Sequence, residues 1–332
     1  MEMNLSFGVP GVGNFRINIF RQRASISIVV RYILGNIPTL DSLGLPDVLS
    51  DLIMEKRGLI LIVGSTGSGK STTIASMLDH RNANRSGHIL TIEDPIEFLF
   101  KHKKSIVNQR ELGMDTLDWN SALKNAMRQA PDCILIGEIR DKETMQAAIA
   151  YAQTGHLCLG TLHANNSYHA LNRMINFFPL ESRTSLYLDL SVALRAIISQ
   201  RLVRKPDGKR IPTSEVLLNT RHVAELIERG EVQAIKEAME QSLAPGSQTF
   251  EQDLFRLYKE TVITLDEALA NSDSPTNLSW LINNSEFTTD KKEDKRADSP
   301  LDFGMDSQTG ASFKEFTLSL SDSDEEETKD AS

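Results

Sequence analysis

Residues 64–72 read GSTGSGKST, the pattern G-x-x-x-x-G-K-[ST], directly after the aliphatic run LILIV. Gly64, Gly67 and Gly69 let backbone N–H groups turn inward around phosphates, with Ser65, Thr66 and Ser68 completing the loop. Lys70 adds a point charge at the β and γ oxygens, Ser71 is an oxygen ligand for Mg2+, and Thr72 continues into a helix. The whole stretch is the candidate nucleotide-binding site, with ATP and Mg2+ the expected ligands. Downstream, ILIGEIRD (134–141) is an apolar strand ending at Glu138, where such a site holds its magnesium. The usual pair of acids is broken: Gly137 stands in the first position, so a second carboxylate must come from elsewhere. TIEDPIEF (91–98) offers Glu93, Asp94 and Glu97 at the end of another strand. Pro95 keeps Asp94 out of the helical region, so the strand cannot run on into a helix. On composition alone this is either a solvated acidic loop or, because parallel strand ends form the ligand crevice, a site for magnesium and water. In GHLCLGTLHANN (155–166), His156 and His163 are seven apart and face opposite sides of a straight strand, which argues against a shared metal. His163, at the strand's end, is the expected γ-phosphate sensor; His156, at its start, is expected to orient neighbours.

Elements that could hold these residues alternate along the chain. LILIVG, HILTIED, DCILIGE and HLCLGTLH read as strands; KSTTIASMLDH, LDWNSALKNAMRQA and KETMQAAIAYAQT read as helices between them. Such alternation predicts a parallel sheet covered on both faces, an α/β fold. Before it, NFRINIF and SISIVVRYI alternate as strands and LPDVLSDLIMEKRG reads as a short helix. From Ser167 the pattern turns helical: SYHALNRMINFF, ESRTSLYLDLSVALRAIISQRLV, VAELIERGEVQAIKEAME and TFEQDLFRLYKE, interrupted by the extended RIPTSEVLL.

Composition narrows the function classes. The chain has 332 residues, 40% of them hydrophobic, enough for a sizeable core. No run of 18 apolar residues exists, so no membrane span is expected. MEMNLSFGVP lacks the features of a signal peptide. The net charge is −9, but residues 285–332 hold 14 acids and 6 bases, leaving the remainder near neutral and without the bulk basic charge that nucleic acid requires. Cys133 and Cys158 each lie inside an apolar run and are expected to be buried free thiols of a cytoplasmic protein.

GSTGSGKST, TIEDPIEF, ILIGEIRD and TGHLCLGTLHANN resemble, in order and spacing, the Walker A, Asp box, Walker B and His box of type II/IV secretion ATPases. FRINIF, IPTLDSLGLP, VNQREL and SQTFEQDL extend the likeness over residues 12–284, and narrow it to the pilus retraction ATPases of the PilT and PilU type, the PilU branch fitting best. The resemblance implies a RecA-like core over 41–202, a mainly helical lobe over 203–284 and a remnant of an α+β PAS-like domain over 1–40; residues 285–332, charged and without apolar periodicity, are expected to be a disordered acidic tail. It implies that Glu97 activates water, that Glu93 supports the magnesium shell, and that Glu138 is the metal's carboxylate beside Ser71. It also implies arginines, at Arg16 and Arg31, that reach a neighbour's nucleotide in a hexameric ring.

The implied activity is ATP hydrolysis driving retraction of a type IV pilus and twitching motility. The motor would lie at the cytoplasmic side of the inner membrane, peripheral to it at the pilus base. Its expected partners are an inner-membrane platform protein and ring neighbours, either identical or a PilT-like paralogue. With so little of the front domain, the isolated chain is expected to bind ATP through Lys70 yet form hexamers poorly and hydrolyse slowly, unless a full-length paralogue supplies ring neighbours. An assembly or type II secretion ATPase would usually carry paired CxxC cysteines, and this chain has none. A DNA motor would need a basic channel, and a non-catalytic subunit would lack the acids.

Overall fold

The computed structural model describes residues 2–9, 12–33 and 35–293. Three antiparallel strands open the chain: β1 (Glu2–Val9), β2 (Gly13–Gln22) and β3 (Ser25–Ile33), in the order β1-β2-β3. Period-two alternation sorts their side chains. The rows Met3–Ile19–Ile28, Leu5–Ile17–Val30 and Phe7–Phe15–Tyr32 share one face. Arg16 and Arg31 stand opposite each other on the other face.

The short helix α1 (Val48–Met54) leads into β4 (Gly58–Val63), whose six residues are all buried. There follow α2 (Lys70–Asn84), β5 (Gly87–Glu93), β6 (Ser105–Glu111), α3 (Trp119–Ala126), β7 (Cys133–Ile136), α4 (Lys142–Gln153), β8 (Leu157–Leu162), α5 (Ser167–Asn176), α6 (Arg183–Ala193), β9 (Leu194–Arg204) and β10 (Arg210–Leu218). The seven strands form one sheet ordered β10-β9-β4-β8-β7-β5-β6, parallel throughout except for β10 against β9. Alternate residues of the central strands feed two apolar layers. On β4, Leu59, Leu61 and Val63 pack on the side of α3–α6, and Ile60 and Ile62 on the side of α1 and α2. Runs that are apolar at every position are what a sheet covered on both faces demands.

The segment after Ser167 is not purely helical. LRAIISQRLVR forms β9, lodged between β4 and β10, and α6 stops at Ala193. A short run that is buried on both faces carries no periodicity to separate strand from helix, and the two free ladder edges decide the matter. The expected boundary at 202/203 therefore falls inside β9, and β10, within the expected helical lobe, joins the same sheet. VAELIERGEVQAIKEAME is likewise two helices, α7 (Arg221–Arg229) and α8 (Ile235–Glu240). Gly230 breaks them apart by capping α7 at φ +74°, a left-handed backbone that glycine adopts without cost.

The remaining helices are α9 (Phe250–Lys259), α10 (Leu265–Asn271) and α11 (Pro275–Glu293), with a small core around Phe250, Leu254, Leu257 and Leu278. α11 carries helix past the expected start of a disordered tail at 285. The rest of that tail, 294–332, lies outside the described residues. Among the described residues, no helix is long and apolar enough to cross a membrane. Cys133 and Cys158 are buried free thiols as expected, and burial pushes the Cys133 thiol up to about 12.

Candidate functional site

The loop 64–69 connects the end of β4 to the start of α2, a fifteen-residue helix whose first N–H groups have no side-chain cap. Gly69 precedes it at φ +92°, and Gly64 turns at φ +153° with the Gln200 carbonyl so close that any Cβ would stand 2.5 Å from it. Uncapped donors at a helix N-terminus, with the helix dipole behind them, make a phosphate cradle. Lys70 Nζ donates to the Gly64 and Ser65 carbonyls at 2.9 and 2.8 Å, holding the ammonium over the loop. Desolvation lowers its pKa, with Glu138 and then Glu97 opposing the shift.

A cavity of about 500 Å3 lies above this loop at the carboxyl ends of the parallel strands. Thr66, Gly67, Gly69, Lys70, Ser71 and Thr72 line it from one side. Glu93, Asp94 and Glu97 line it from the end of β5, Glu138 from the end of β7 and His163 from the end of β8. Four separate segments of sequence thus meet because parallel strands deliver their ends to one edge. His163 Nε2 stands 3.5 Å from Glu138 Oε1.

The structure accounts for the glycine in ILIGEIRD. Gly137 N donates to the Ile92 carbonyl at 2.8 Å, and a Cβ on Gly137 would lie 3.0 Å from that oxygen and 3.1 Å from Glu93 Cα. The backbone of β5 occupies the space that a first acid would need. Glu93 supplies a carboxylate from that same backbone instead. Glu93 Oε1 accepts from Thr91 Oγ1 at 2.6 Å and Gln109 Nε2 at 3.2 Å. Burial nonetheless raises its pKa to about 6, because those hydrogen bonds offset only part of the desolvation. Glu97, by contrast, is exposed to the cavity mouth.

Three expected residues are not part of this cluster. His156 stands at the opposite end of β8, roughly 20 Å away by strand rise. There its ring Nδ1 lies 3.3 Å from the Tyr151 carbonyl and 3.2 Å from Thr154 Oγ1, tying the end of α4 to β8. The neighbours it contacts are those of the α4–β8 turn, away from the cavity. Arg16 is engaged inside its own chain, its Nη2 3.2 Å from Glu111 Oε1. Arg31 is exposed on β3.

Sequence reasoning missed residues that hold the site together. Gln200, buried on β9, donates through Nε2 to the Ser68 carbonyl at 2.9 Å and accepts from Thr73 Oγ1 at 2.7 Å, clamping the loop to the start of α2. The Thr161 hydroxyl donates to the Gly137 carbonyl, fixing the strand end that bears Glu138. Arg210 and Leu202 close the cavity from the β9–β10 hairpin.

ATP and Mg2+ fit the residues present. The loop offers amide donors and an ammonium to phosphate, and Ser71 and Glu138 offer the hard oxygen donors that magnesium takes. Among the described residues no group of three or more His, Cys, Asp and Glu side chains is gathered to hold an ion alone.

An α/β sheet with a phosphate loop at its strand ends defines a P-loop protein. The profile of the "Type II/IV secretion system protein" family matches residues 12–233, and the chain belongs to that family. The type IV pilus ATPase PilU of Pseudomonas aeruginosa is 50% identical over 282 residues, 85% of this chain and 74% of its own. The type IV pilus retraction ATPase PilT of the same organism is 40% identical over 278 residues, 84% of this chain and 81% of its own. Among solved structures, that of the pilus retraction motor PilT with bound ADP superposes with a TM-score of 0.79 at 46% identity, covering 84% of this chain and 79% of that one.

Proposed function

We propose that the chain is an ATP-hydrolysing motor of the type IV pilus machinery that drives pilus retraction and twitching motility. The observation that carries the reading is the meeting of Lys70, Ser71, Glu93, Glu97, Glu138 and His163 around one cavity. Its likeness to PilU and PilT over more than four fifths of the chain supports the choice of motor.

Phosphoryl transfer to water asks for positioning and charge more than for covalent chemistry. The amides of 64–72 and the N-terminus of α2 hold the phosphates. Lys70 moves from two neutral carbonyls to charged phosphate oxygens, which are the stronger acceptors. Bound Mg2+ would supply Lewis acidity at the β and γ oxygens, and Ser71 and Glu138 are the residues to hold it. Glu97 accepts the proton of the attacking water. Glu93 supports the metal's shell, and His163, paired with Glu138, reads whether a γ-phosphate is present. Hydrolysis would move subunits of a hexamer of identical or PilT-like chains, acting on an inner-membrane platform protein at the pilus base. Arg16 and Arg31 are the candidates for reaching a neighbour's nucleotide, and of the two Arg31 is exposed.

The test is pilus retraction in cells lacking this gene, complemented with the natural chain or with Lys70→Ala. Retraction force and ATP turnover should return with the first and not with the second. Normal retraction with Lys70→Ala would sink the reading.

A further inference from the structure

The inward positions of β6 run Ser105, Val107, Gln109, Glu111, so polar side chains occupy places where the neighbouring strands bury aliphatic ones. Gln109 and Glu111 are spent on the acidic loop. Gln109 Nε2 donates to Glu93 Oε1 and to the Phe98 carbonyl at 2.8 Å, and Gln109 Oε1 accepts from Phe100 N at 2.9 Å. Glu111 is 4% exposed. Its Oε2 accepts from Ile96 N at 3.1 Å, one peptide before Glu97. Its Oε1 faces Arg16 Nη2 at 3.2 Å, on the polar face of the N-terminal sheet. A carboxylate so buried is costly unless paired, and Arg16 has Arg31, a like charge, as its cross-strand neighbour. Glu111 therefore answers to two elements at once. Pro95 has no N–H to give, so two amides anchor this stretch: Ile96 N–H on Glu111, and Glu97 N–H on the Glu93 carboxylate.

We propose that Glu111 is a positioning residue for Glu97, and that Arg16–Glu111–Ile96 is a latch through which the N-terminal sheet sets the alignment of the water-activating carboxylate. The inference rests on the cavity being an ATPase site. It assigns Arg16 a role within its own subunit. Misplacing a catalytic group by about 1 Å is enough to cost about a hundredfold in rate, so a latch one residue away can control turnover without touching substrate.

The experiment measures steady-state turnover, binding of a fluorescent ATP analogue, and hydrogen exchange of segment 93–100 in the whole chain. Glu111→Ala should lower turnover about tenfold or more while ATP affinity stays within about twofold, a loss in kcat alone. Exchange in 93–100 should quicken, because Ile96 N–H loses its acceptor. Glu111→Gln keeps an oxygen facing Ile96 and should hold turnover within about threefold of the natural chain. Arg16→Met should lower turnover about three- to tenfold in the natural background but less than about twofold on top of Glu111→Gln, since coupled residues do not add. Equal losses from Arg16→Met in both backgrounds would overturn the latch and send Arg16 to a neighbouring subunit. So would Glu111→Ala with natural turnover, or with ATP affinity lost in parallel. If Glu111→Ala does not fold, the Arg16→Met pair of measurements decides. Exchange also reads the latch without any turnover: quickened exchange in an inactive chain would condemn the ATPase reading and keep the latch, and unchanged exchange would condemn the latch.

Discussion

At the scale of single residues, the acids of this site divide by environment. Glu97 is exposed at the cavity mouth, free to meet water, whereas Glu93 is hydrogen-bonded and largely enclosed. Glu97→Gln removes the proposed proton acceptor and leaves the phosphate loop untouched. ATP affinity should stay within about threefold while turnover falls by about a hundredfold or more, the range of lost general-base catalysis. Phosphate release with parallel nucleotide titration checks this; turnover close to the natural rate would move the base to Glu93. Glu93 makes a separate prediction through its pKa of about 6, above the ordinary value of 4.5. The folded chain binds this proton more tightly than the unfolded chain. Stability from this group is therefore full below pH 4.5, falls as pH rises from 4.5 to 6, and levels off about 2 kcal/mol lower. Glu93→Gln removes that dependence, because a neutral amide oxygen still accepts from Thr91 and Gln109. In urea unfolding of the nucleotide-free chain, the advantage of Glu93→Gln should grow from near zero at acid pH to that figure above pH 6.5 or so. A difference that stays flat with pH would count against the buried carboxyl.

At the scale of elements, β8 shows why two histidines of one motif have different fates. His163 leaves the carboxyl end of the strand and meets Glu138; His156 precedes the amino end and meets Tyr151 and Thr154. On the proposed sensor role, His163→Ala should lower turnover about tenfold with ADP affinity preserved, since the phosphate loop is left intact. His156→Ala should leave turnover within about twofold and lower stability by about 1 kcal/mol, the worth of a structural hydrogen bond. Equal effects from the two would contradict the strand geometry. The same scale sets what was legible in the sequence. The phosphate loop, Glu138 and the acidic strand end could be read because each is a short motif at the end of an aliphatic run. β9 could not, because a run buried on both faces has no period to declare itself. Gln109, Glu111 and Gln200 could not be read as site residues either: they touch no substrate, and their meaning lies in which backbone groups the sheet order brings beside them. The inward polar alternation in SIVNQRE was a visible signal, but only the neighbouring strand gives it an object.

At the scale of the molecule, the N-terminal sheet presents opposite chemistry on its two faces. Arg16, on the polar face, joins the sheet to the ATPase core through Glu111. The other face is a lattice of Met3, Leu5, Phe7, Ile28, Val30 and Tyr32 around the β2 row Phe15, Ile17 and Ile19. Phe7, Ile28 and Val30 are 59%, 59% and 57% exposed, far from the burial such residues have in a closed core. β1 and β3 are also edges with unpaired backbone groups. A contiguous apolar face bounded by open edges drives association, and charge on the strand is the natural remedy. The isolated chain should therefore scatter light as concentration-dependent assemblies at micromolar concentration. Because Ile28 and Val30 share the outer face of β3, Ile28→Glu with Val30→Glu places two carboxylates in the middle of that face and leaves the Arg16 face intact. The doubly substituted chain should remain monomeric and bind ATP as the natural chain does, since neither position approaches the cavity. If the natural chain is already monomeric, or if both substitutions leave assembly unchanged, the face is not the adhesive surface. Assembly would then have to come from contacts among the ATPase cores, the arrangement a closing head-to-tail ring requires.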